Sequence, residues 1–211
     1  MTGKVITIAQ QKGGSGKTTL AANLAIAFML DGKSVAILDT DPQGSLGRWF
    51  MLRRDVTGDA PGMDFATASA WGVSYEVEKL RKANDIVIID TPPKIDADLR
   101  PALRESDLVL VPVASSHLDL WATESVLELA QREGCEVLLV LNRVAARARL
   151  SELIAGELGD LPAPRAETTL GNRVFFAEAL GNGSGVSEKR SSPAAREIAA
   201  LAAEVEAIAG V

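Results

Sequence analysis

The chain has 211 residues, of which 47% are hydrophobic and 24% are charged, and this size and composition are typical of one soluble globular domain. A formal net charge of −6 argues against a dedicated nucleic-acid-binding protein, although it leaves room for a local basic patch. The single cysteine, Cys135, excludes an intramolecular disulfide and a multi-cysteine metal or iron–sulfur site, which fits a reducing cytoplasm. The first ten residues show no signal peptide, and no apolar stretch approaches the roughly 20 residues that cross a bilayer.

Apolar runs, taken in chain order, predict the strands of a sheet that is covered on both faces. They lie at residues 5–9, 35–38, 86–89, 108–111 and 137–141, with residues 65–67 as a weaker candidate. Because these runs are continuous and rich in β-branched residues, they are typical of parallel strands between two layers of helices. Helical patterns are found at residues 18–30, 122–131 and about 192–209, and a flexible glycine-rich loop is expected at residues 181–185.

The alternation of strands and helices predicts one domain over residues 1–211. Its fold class is α/β, with a doubly wound, mostly parallel sheet flanked by helices. In such sheets, ligands bind beyond the carboxyl ends of the strands. Asp39, Asp90 and Asn142 each follow a strand, and the run at 108–111 is expected to end on Pro112. Polar side chains are therefore expected to meet at one edge of the sheet.

A glycine-rich segment at residues 12–19, Lys-Gly-Gly-Ser-Gly-Lys-Thr-Thr, lies between the first strand and the first helix. The usual phosphate-binding loop is G-x-x-x-x-G-K-[ST], and Gln11 stands where its first glycine would be. The chemistry is nevertheless intact, because glycines let main-chain N–H groups converge on phosphate at a helix N-terminus. Lys17 can reach the β- and γ-phosphates, and Thr18 can offer its hydroxyl to Mg²⁺. The predicted nucleotide-binding residues of this loop are Gly13, Gly14, Ser15, Gly16, Lys17, Thr18 and Thr19.

Lys12 gives the loop a resemblance to the ParA/MinD family of deviant Walker A ATPases, whose motif reads K-G-G-x-G-K-[ST]. The resemblance implies a P-loop NTPase fold, with ATP and Mg²⁺ as ligands. It also implies an ATP-dependent homodimer in which Lys12 reaches across into the partner's phosphates, as an arginine finger does. The resemblance covers nearly the whole chain, its specific motifs lie between Lys12 and Pro93, and it is strongest with the short, ParF-type partition ATPases.

Two further motifs resemble the switch regions of that family. The segment D-T-D-P-Q-G at residues 39–44 resembles switch I, in which Asp41 positions the attacking water and touches the magnesium shell. Asp39 either shares in this chemistry or caps the following turn, and the sequence leaves both open. The segment I-I-D-T-P-P at residues 88–93 resembles a Walker B strand and switch II. There Asp90 holds Mg²⁺ through water, and the main chain of Thr91 and Pro92 senses the γ-phosphate. The resemblance thus implies Lys12, Lys17 and Asp41 as catalytic residues and Thr18, Asp41 and Asp90 as metal ligands.

Asn142 and His117 are the remaining polar candidates. Asn142 matches the position at which relatives contact the adenine base, although an asparagine after a strand also suits a turn. His117 is the only histidine, which excludes a His–His metal pair and a Ser–His–Asp triad, and it is expected to be a surface or interface residue. Some small ParA relatives carry several prolines near this loop, which buttress the dimer. Here only Pro112 is present, a departure that leaves the local dimer contact open.

The sequence separates several branches of the superfamily. One cysteine cannot supply the paired cysteines of nitrogenase iron protein relatives, and dethiobiotin-synthetase-like ligases usually lack an equivalent of Lys12. MinD-like proteins bind membranes through a basic amphipathic C-terminal helix. The last helix here has apolar Ile198, Leu201, Val205 and Ile208 but a mostly acidic polar face, which anionic lipid would repel. It is therefore predicted to pack on the sheet, and no membrane partner is expected.

The resemblance favours a ParA-like partition or positioning ATPase in the cytoplasm, associated with the nucleoid. The chain starts directly on its first strand, so no N-terminal helix-turn-helix is expected. In short ParA relatives, the ATP dimer binds DNA without sequence preference, and a ParB-like or cargo-adaptor protein stimulates hydrolysis. A MinD-like membrane regulator and a metabolic ATP-dependent ligase remain alternatives, and the cargo is open among plasmid, chromosome and protein assembly. The candidate DNA contacts, each of which could equally be ordinary surface charge, are Arg143, Arg147, Arg149, Arg173, Lys189, Arg190 and Arg196.

Overall fold

The computed structural model describes residues 2–93, 99–114, 116–145, 149–189 and 191–211. The strands are β1 (Lys4–Ile8), β2 (Val35–Asp39), β3 (Asp64–Thr67), β4 (Ile86–Asp90), β5 (Leu108–Ala114) and β6 (Val137–Asn142). The helices are α1 (Lys17–Leu30), α2 (Ser45–Val56), α3 (Gly72–Ala83), α4 (Leu99–Arg104), α5 (His117–Glu133), α6 (Arg149–Gly159), α7 (Val174–Gly181) and α8 (Pro193–Ala209). A 3₁₀ turn covers Val186–Glu188.

The strands form one sheet in the order β3-β2-β4-β1-β5-β6, and all of its neighbouring strands are parallel. This arrangement confirms the α/β fold and the weak strand predicted at residues 65–67. Strands β2, β3 and β4 lie on one side of β1, with β4 between β1 and β2, and strands β5 and β6 lie on the other side. The carboxyl end of β1 therefore lies at the point where the chain changes direction, which is where α/β sheets bind ligands.

Both faces of the sheet are buried, as the continuous apolar runs predict. On one face, Ile6 and Ile88 belong to a core with residues of α1 and α8. On the other face, Val5 and Val87 belong to a core with residues of α3. The aromatic side chain of Trp49 on α2 is also buried in the first core.

Strand β5 is longer than the sequence predicts, because it continues past Pro112 to Ala114. Pro112 lies opposite Val140 of β6, whereas the pairing of β5 with β1 ends at Leu110. The Pro112 carbonyl accepts a hydrogen bond from the Gln10 side chain, so the main-chain polar groups of Pro112 face the side of β5 on which β1 lies. Because β1 no longer pairs with β5 at this position, no strand needs an N–H donor from Pro112, and this explains how a proline fits inside an interior strand.

Helix α8 belongs to the same buried apolar core as Ile6 and Ile88 of the sheet, which agrees with the predicted packing. Ile198, Leu201 and Val205 are fully buried, while Ile208 is partly exposed. The acidic face of α8 also makes contacts within the chain, because the carboxylate of Glu204 accepts hydrogen bonds from the main-chain N–H groups of residues 167 and 168. Within the described parts of the chain, no helix combines the length and the apolar character needed to cross a membrane.

Two of the three glycines at residues 181–185, Gly183 and Gly185, serve close packing rather than the flexibility expected of this segment. At Gly183, where φ is +65°, a Cβ atom would lie 2.8 Å from the main-chain nitrogen of Arg53. At Gly185, a Cβ atom would lie 2.9 Å from the Ile26 side chain. This segment therefore joins α7 to the core by contacts that only glycine permits.

The Gly183→Ala variant is expected to lower the free energy of unfolding by roughly 2–4 kcal/mol, because it adds a backbone clash to an unfavourable positive φ. Gly58→Ala is the matched control, since φ is +64° there and a Cβ atom would meet no other described part of the chain within 4 Å. The control should lose only about 1–2 kcal/mol. Urea denaturation of both variants measures the difference, and equal losses would contradict the packing role.

Candidate functional site

The glycine-rich loop between β1 and α1 forms an open cradle. Gly14 and Gly16 have φ values of +80° and +96°. Apart from the adjoining residues, no atom of the described residues lies within 4 Å of a Cβ position built at Gly13 or Gly14. Helix α1 starts at Lys17 without a side chain that caps its N-terminus, so its first N–H groups are available to an anion. A cavity of about 680 Å³ opens over this loop and is also lined by Thr18, Asp41 and Arg143.

Lys17 is the cation of this cradle. Its side chain is buried, and its ammonium donates a hydrogen bond to the Gln10 carbonyl at 2.9 Å. Burial lowers the pKa of Lys17, and the negative charges of Asp90 and Asp41 oppose that shift. A phosphate group in the cavity would give this partly desolvated ammonium a counter-ion.

Thr18 and Asp90 form the part of the site that fits a metal ion. The Thr18 hydroxyl donates a hydrogen bond to Asp90 Oδ2 at 2.6 Å. Asp90 is fully buried, and its Oδ1 atom has no hydrogen-bond partner among the described residues. Burial, together with the nearby charge of Asp39, raises the pKa of Asp90 to about 7, although the Thr18 hydrogen bond opposes the shift. An orphaned carboxylate oxygen beside a threonine hydroxyl is the oxygen-rich environment that Mg²⁺ prefers, so the residues fit the implied ion.

The two aspartates of switch I have different surroundings. Asp39 is buried, and its two oxygens accept hydrogen bonds from the N–H groups of Asp41 and Gly47. This arrangement favours the capping interpretation of Asp39, because both oxygens hold the loop and the start of α2. Asp41 is only half-buried, lines the cavity, and accepts one hydrogen bond from the Gln43 N–H group. Asp41 is thus the switch I carboxylate that is accessible to a ligand.

The strands place these groups side by side. Asp39 and Asp90 are register partners at the ends of β2 and β4, and Ile8 of β1 is the register partner of Asp90 on the other side. The Thr40 N–H group and hydroxyl both donate to the Asp90 carbonyl, and the Thr91 hydroxyl donates to the Ile8 carbonyl. The switch segments are therefore tied to the same sheet edge as the phosphate loop.

Asn142 braces the phosphate loop from the end of β6. Its amide Nδ2 donates to the Ser15 carbonyl at 2.8 Å, and its Oδ1 accepts from the Arg143 N–H group. Asn142 and Arg143 also line a second cavity of about 380 Å³ next to Gly16. This cavity adjoins the cradle and is the place where a base could lie, so the adenine contact of Asn142 stays a prediction. Arg143 has φ of +56°, an unusual backbone conformation that turns the chain at this point.

Lys12 lies outside the phosphate cradle of its own chain. Its ammonium forms an ion pair with Asp119 at 2.6 Å and a hydrogen bond with the Ser116 hydroxyl at 3.3 Å. Asp119 is almost fully buried, and its carboxylate also accepts a hydrogen bond from the Ser116 hydroxyl. Sequence reasoning missed Asp119 as a partner of Lys12. The available signal was the Ser-x-x-Asp pattern at the start of α5, which is typical of a helix N-cap.

His117 is the first residue of α5 and lies at the surface, with its Nδ1 atom 3.3 Å from a carboxylate oxygen of Glu157. This location agrees with a surface or interface histidine.

The candidate DNA contacts do not share one environment. Arg173 forms hydrogen bonds with the Glu197 carboxylate, one of them at 3.0 Å, and this partner offsets its charge. Lys189 lies 5.5 Å from the ring of Phe175, and Arg196 donates to the Ser191 carbonyl. Arg147 and Arg190 lie outside the described residues, as does the side chain of Arg149.

Known proteins share both the sequence pattern and the fold. Residues 6–158 match the family described as the CobQ/CobB/MinD/ParA nucleotide binding domain. The maintenance of carboxysome distribution protein A from Halothiobacillus neapolitanus is 29% identical over 212 residues, which cover 95% of each chain.

Two solved structures have the same fold. An ATP complex of a McdA variant from Cyanothece has a TM-score of 0.81 and 18% identity, over 99% of this chain and 97% of that chain. The septum site-determining protein MinD with Mg-ADP from Pyrococcus horikoshii OT3 has a TM-score of 0.81 and 21% identity, over 98% of this chain and 97% of that chain. The family match extends from β1 into α6 and so includes the phosphate loop, both switch segments and Asn142. The chain therefore belongs to the CobQ/CobB/MinD/ParA nucleotide-binding family, in which it is similar to the ParA- and MinD-type positioning ATPases.

Proposed function

We propose that this chain is a ParA-like ATPase that closes into a homodimer on ATP, binds DNA without sequence preference and positions a cargo. The observation that carries the proposal is the position of Lys12. It belongs to a phosphate-binding loop, yet its ammonium is held by Asp119 rather than by the cradle of its own chain. A loop lysine that serves no phosphate in its own subunit is suited to serve one in a partner.

ATP and Mg²⁺ are the proposed ligands of the cradle. Gly13, Gly14 and the first turn of α1 would hold the phosphates, with Lys17 between the β- and γ-phosphates. Thr18 would coordinate Mg²⁺ directly, while Asp90 and Asp41 would hold its water ligands, because magnesium retains several waters. Mg²⁺ supplies neutralisation of the phosphate charge that develops during hydrolysis. Asp41, accessible and close enough to Lys17 to influence its pKa, would orient the attacking water.

The proposed DNA binding requires a basic surface on the closed dimer. The chain is acidic overall, so any DNA surface has to form locally, from basic side chains that two closed subunits bring together. Arg143 is a candidate DNA contact, because its side chain is exposed. It lies at the rim of the nucleotide cavity, where closure of the dimer would change its surroundings. Arg173 contributes less, since Glu197 already offsets its charge.

The proposed partner is a ParB-like or cargo-adaptor protein that stimulates hydrolysis. The Halothiobacillus relative is named for carboxysome distribution, which makes a protein assembly a candidate cargo alongside a plasmid or chromosome. A cytoplasmic, nucleoid-associated location follows from the same proposal.

DNA binding with ADP, with ATP, and with ATP plus the Lys12→Ala variant tests the proposal. Fluorescence anisotropy with a labelled random-sequence duplex is measured at low and moderate salt. We expect binding with ATP only, loss of binding in the variant, and an affinity that falls about tenfold or more as salt rises. If the chain hydrolyses ATP but binds DNA in none of these states, the proposed role in DNA-based positioning is wrong. That result would favour a ligase or a membrane regulator of the same fold.

A further inference from the structure

A groove on the side of the molecule, separate from the nucleotide site, is lined by four elements. It lies between α5, the start of β6, the turn at residues 161–164 and the end of α8, and its volume is about 720 Å³. The residues that line it are Glu124, Leu127, Glu128, Gln131, Cys135, Glu136, Val137, Leu161, Pro162, Ala163, Pro164 and Ile208. None of these residues takes part in the nucleotide site described above.

The floor of the groove is apolar. Ile208 is 44% exposed although it belongs to the apolar face of α8, whose other large members are buried. Val137, Leu161 and Ala163 are half-buried and continue the same surface. An apolar patch of this kind, inside a concave site, is typical of a surface that binds another molecule.

The rim of the groove is acidic. Glu124, Glu128 and Glu136 are exposed, and none of the described residues that line the groove is a lysine or an arginine. Arg132 approaches Glu128 only at 3.6 Å, and both of these side chains are about two-thirds exposed, so this pair neutralises little. The carboxylates would repel nucleic acid and anionic lipid, and they favour a cationic occupant. A second copy of this chain is the competing occupant, and the test described below distinguishes it from a cationic partner.

One wall of the groove is a face of α5, and a helical occupant can lie along such a face. Glu124, Leu127, Glu128 and Gln131 follow the i, i+3, i+4, i+7 pattern along one face of α5, a length of roughly 10 Å. A partner helix that lies along this face would place apolar side chains over Leu161 and Ile208 and its cations beside the glutamates. We propose that this groove binds a cationic amphipathic helix of a partner protein.

A synthetic peptide tests the proposal independently of nucleotide. The probe is a fluorescent helical peptide with leucine at i, i+3, i+4 and i+7 and lysine at the flanking positions, and its binding is measured by anisotropy at moderate salt. A peptide of the same composition in scrambled order is the first control. We expect the amphipathic peptide to bind about tenfold or more tightly than the scrambled one, because only the former presents an apolar face.

Two matched pairs of variants locate the binding. Glu124→Lys with Glu136→Lys reverses the rim charge, and Asp55→Lys with Glu78→Lys makes the same change in net charge on the exposed surfaces of α2 and α3. Ile208→Asn removes an apolar contact from the floor, and Val56→Asn does so at an exposed position of α2. We expect both groove variants to weaken binding about tenfold and both controls to leave it within about twofold.

Three outcomes would overturn the proposal. The first is equal binding of the ordered and scrambled peptides, which would mean general charge attraction. The second is groove variants that bind the peptide as well as their controls do, with circular dichroism showing that all are folded. The third is a nucleotide-free dimer of the parent chain that Ile208→Asn dissociates, because then a second copy covers the groove.

Discussion

The Lys12→Ala variant is expected to bind ATP within a few-fold of the parent chain but to lose ATP-driven dimerisation. Single-site binding should survive because the Lys12 ammonium is bonded to Asp119 and Ser116, whereas Lys17 is the cation within the cradle. Dimerisation should fail because the proposed interface depends on this lysine to neutralise phosphate charge from the opposite subunit. Partner-stimulated hydrolysis should fall by about 10³-fold, the lower range for an arginine finger supplied in trans.

The Lys12→Ala substitution is also expected to lower the stability of the fold, and this effect has to be separated from the loss of dimerisation. Removal of Lys12 leaves the buried Asp119 carboxylate without its cation, which should cost about 1–3 kcal/mol of stability. The double variant Lys12→Ala, Asp119→Asn removes the unpaired charge and retains a hydrogen-bonding side chain beside Ser116. We expect it to recover most of the lost stability but neither dimerisation nor hydrolysis.

Size-exclusion chromatography with light scattering measures the dimer, thermal unfolding measures stability, and fluorescent ATP measures binding. An ATP dimer that persists in Lys12→Ala would contradict the role of Lys12 in the partner subunit. Recovery of the dimer in the double variant would show instead that the single substitution acts through the Asp119 charge.

The sequence predicts the features of this chain that are encoded locally. Continuous β-branched runs predict buried parallel strands, and each strand that ends on a polar residue places that residue at the ligand edge, as observed for Asp39, Asp90 and Asn142. The glycine-rich loop is equally local, because its positive φ angles require glycine at Gly14 and Gly16. Fold class and phosphate cradle therefore follow from the residues themselves.

Features that depend on distant parts of the chain could not be predicted in the same way. The ion pair of Lys12 with Asp119 joins residues that are 107 positions apart, and the burial of Asp119 comes from tertiary packing. The continuation of β5 past Pro112 depends on where the β1 ladder ends. The glycine at position 183 is required by the main chain of Arg53, which is 130 positions away, and its sequence context resembles that of a flexible loop.

The Asp41→Ala variant is expected to bind ATP and Mg²⁺ but to hydrolyse ATP about 10²–10⁴-fold more slowly, which would trap the ATP-bound dimer. Asp41 is the switch I carboxylate that lines the nucleotide cavity, because Asp39 uses both of its oxygens to hold main-chain N–H groups. Loss of Asp41 therefore removes a group that can orient water, without removing the phosphate cradle or the Thr18–Asp90 pair. Single-turnover hydrolysis and the lifetime of the ATP dimer measure the effect.

Asp41→Asn separates the charge of this side chain from its place in the loop. Its amide oxygen can still accept the hydrogen bond from the Gln43 N–H group, so the local turn should persist while the carboxylate is lost. We expect the asparagine and alanine variants to be equally slow, because the charge that orients water is missing from both. Normal turnover in Asp41→Asn would assign Asp41 to loop geometry, and failure of both variants to bind ATP at millimolar Mg²⁺ would make it a binding residue. If both variants bind ATP and hold it as a long-lived dimer, the switch I carboxylate controls the step that releases the two subunits.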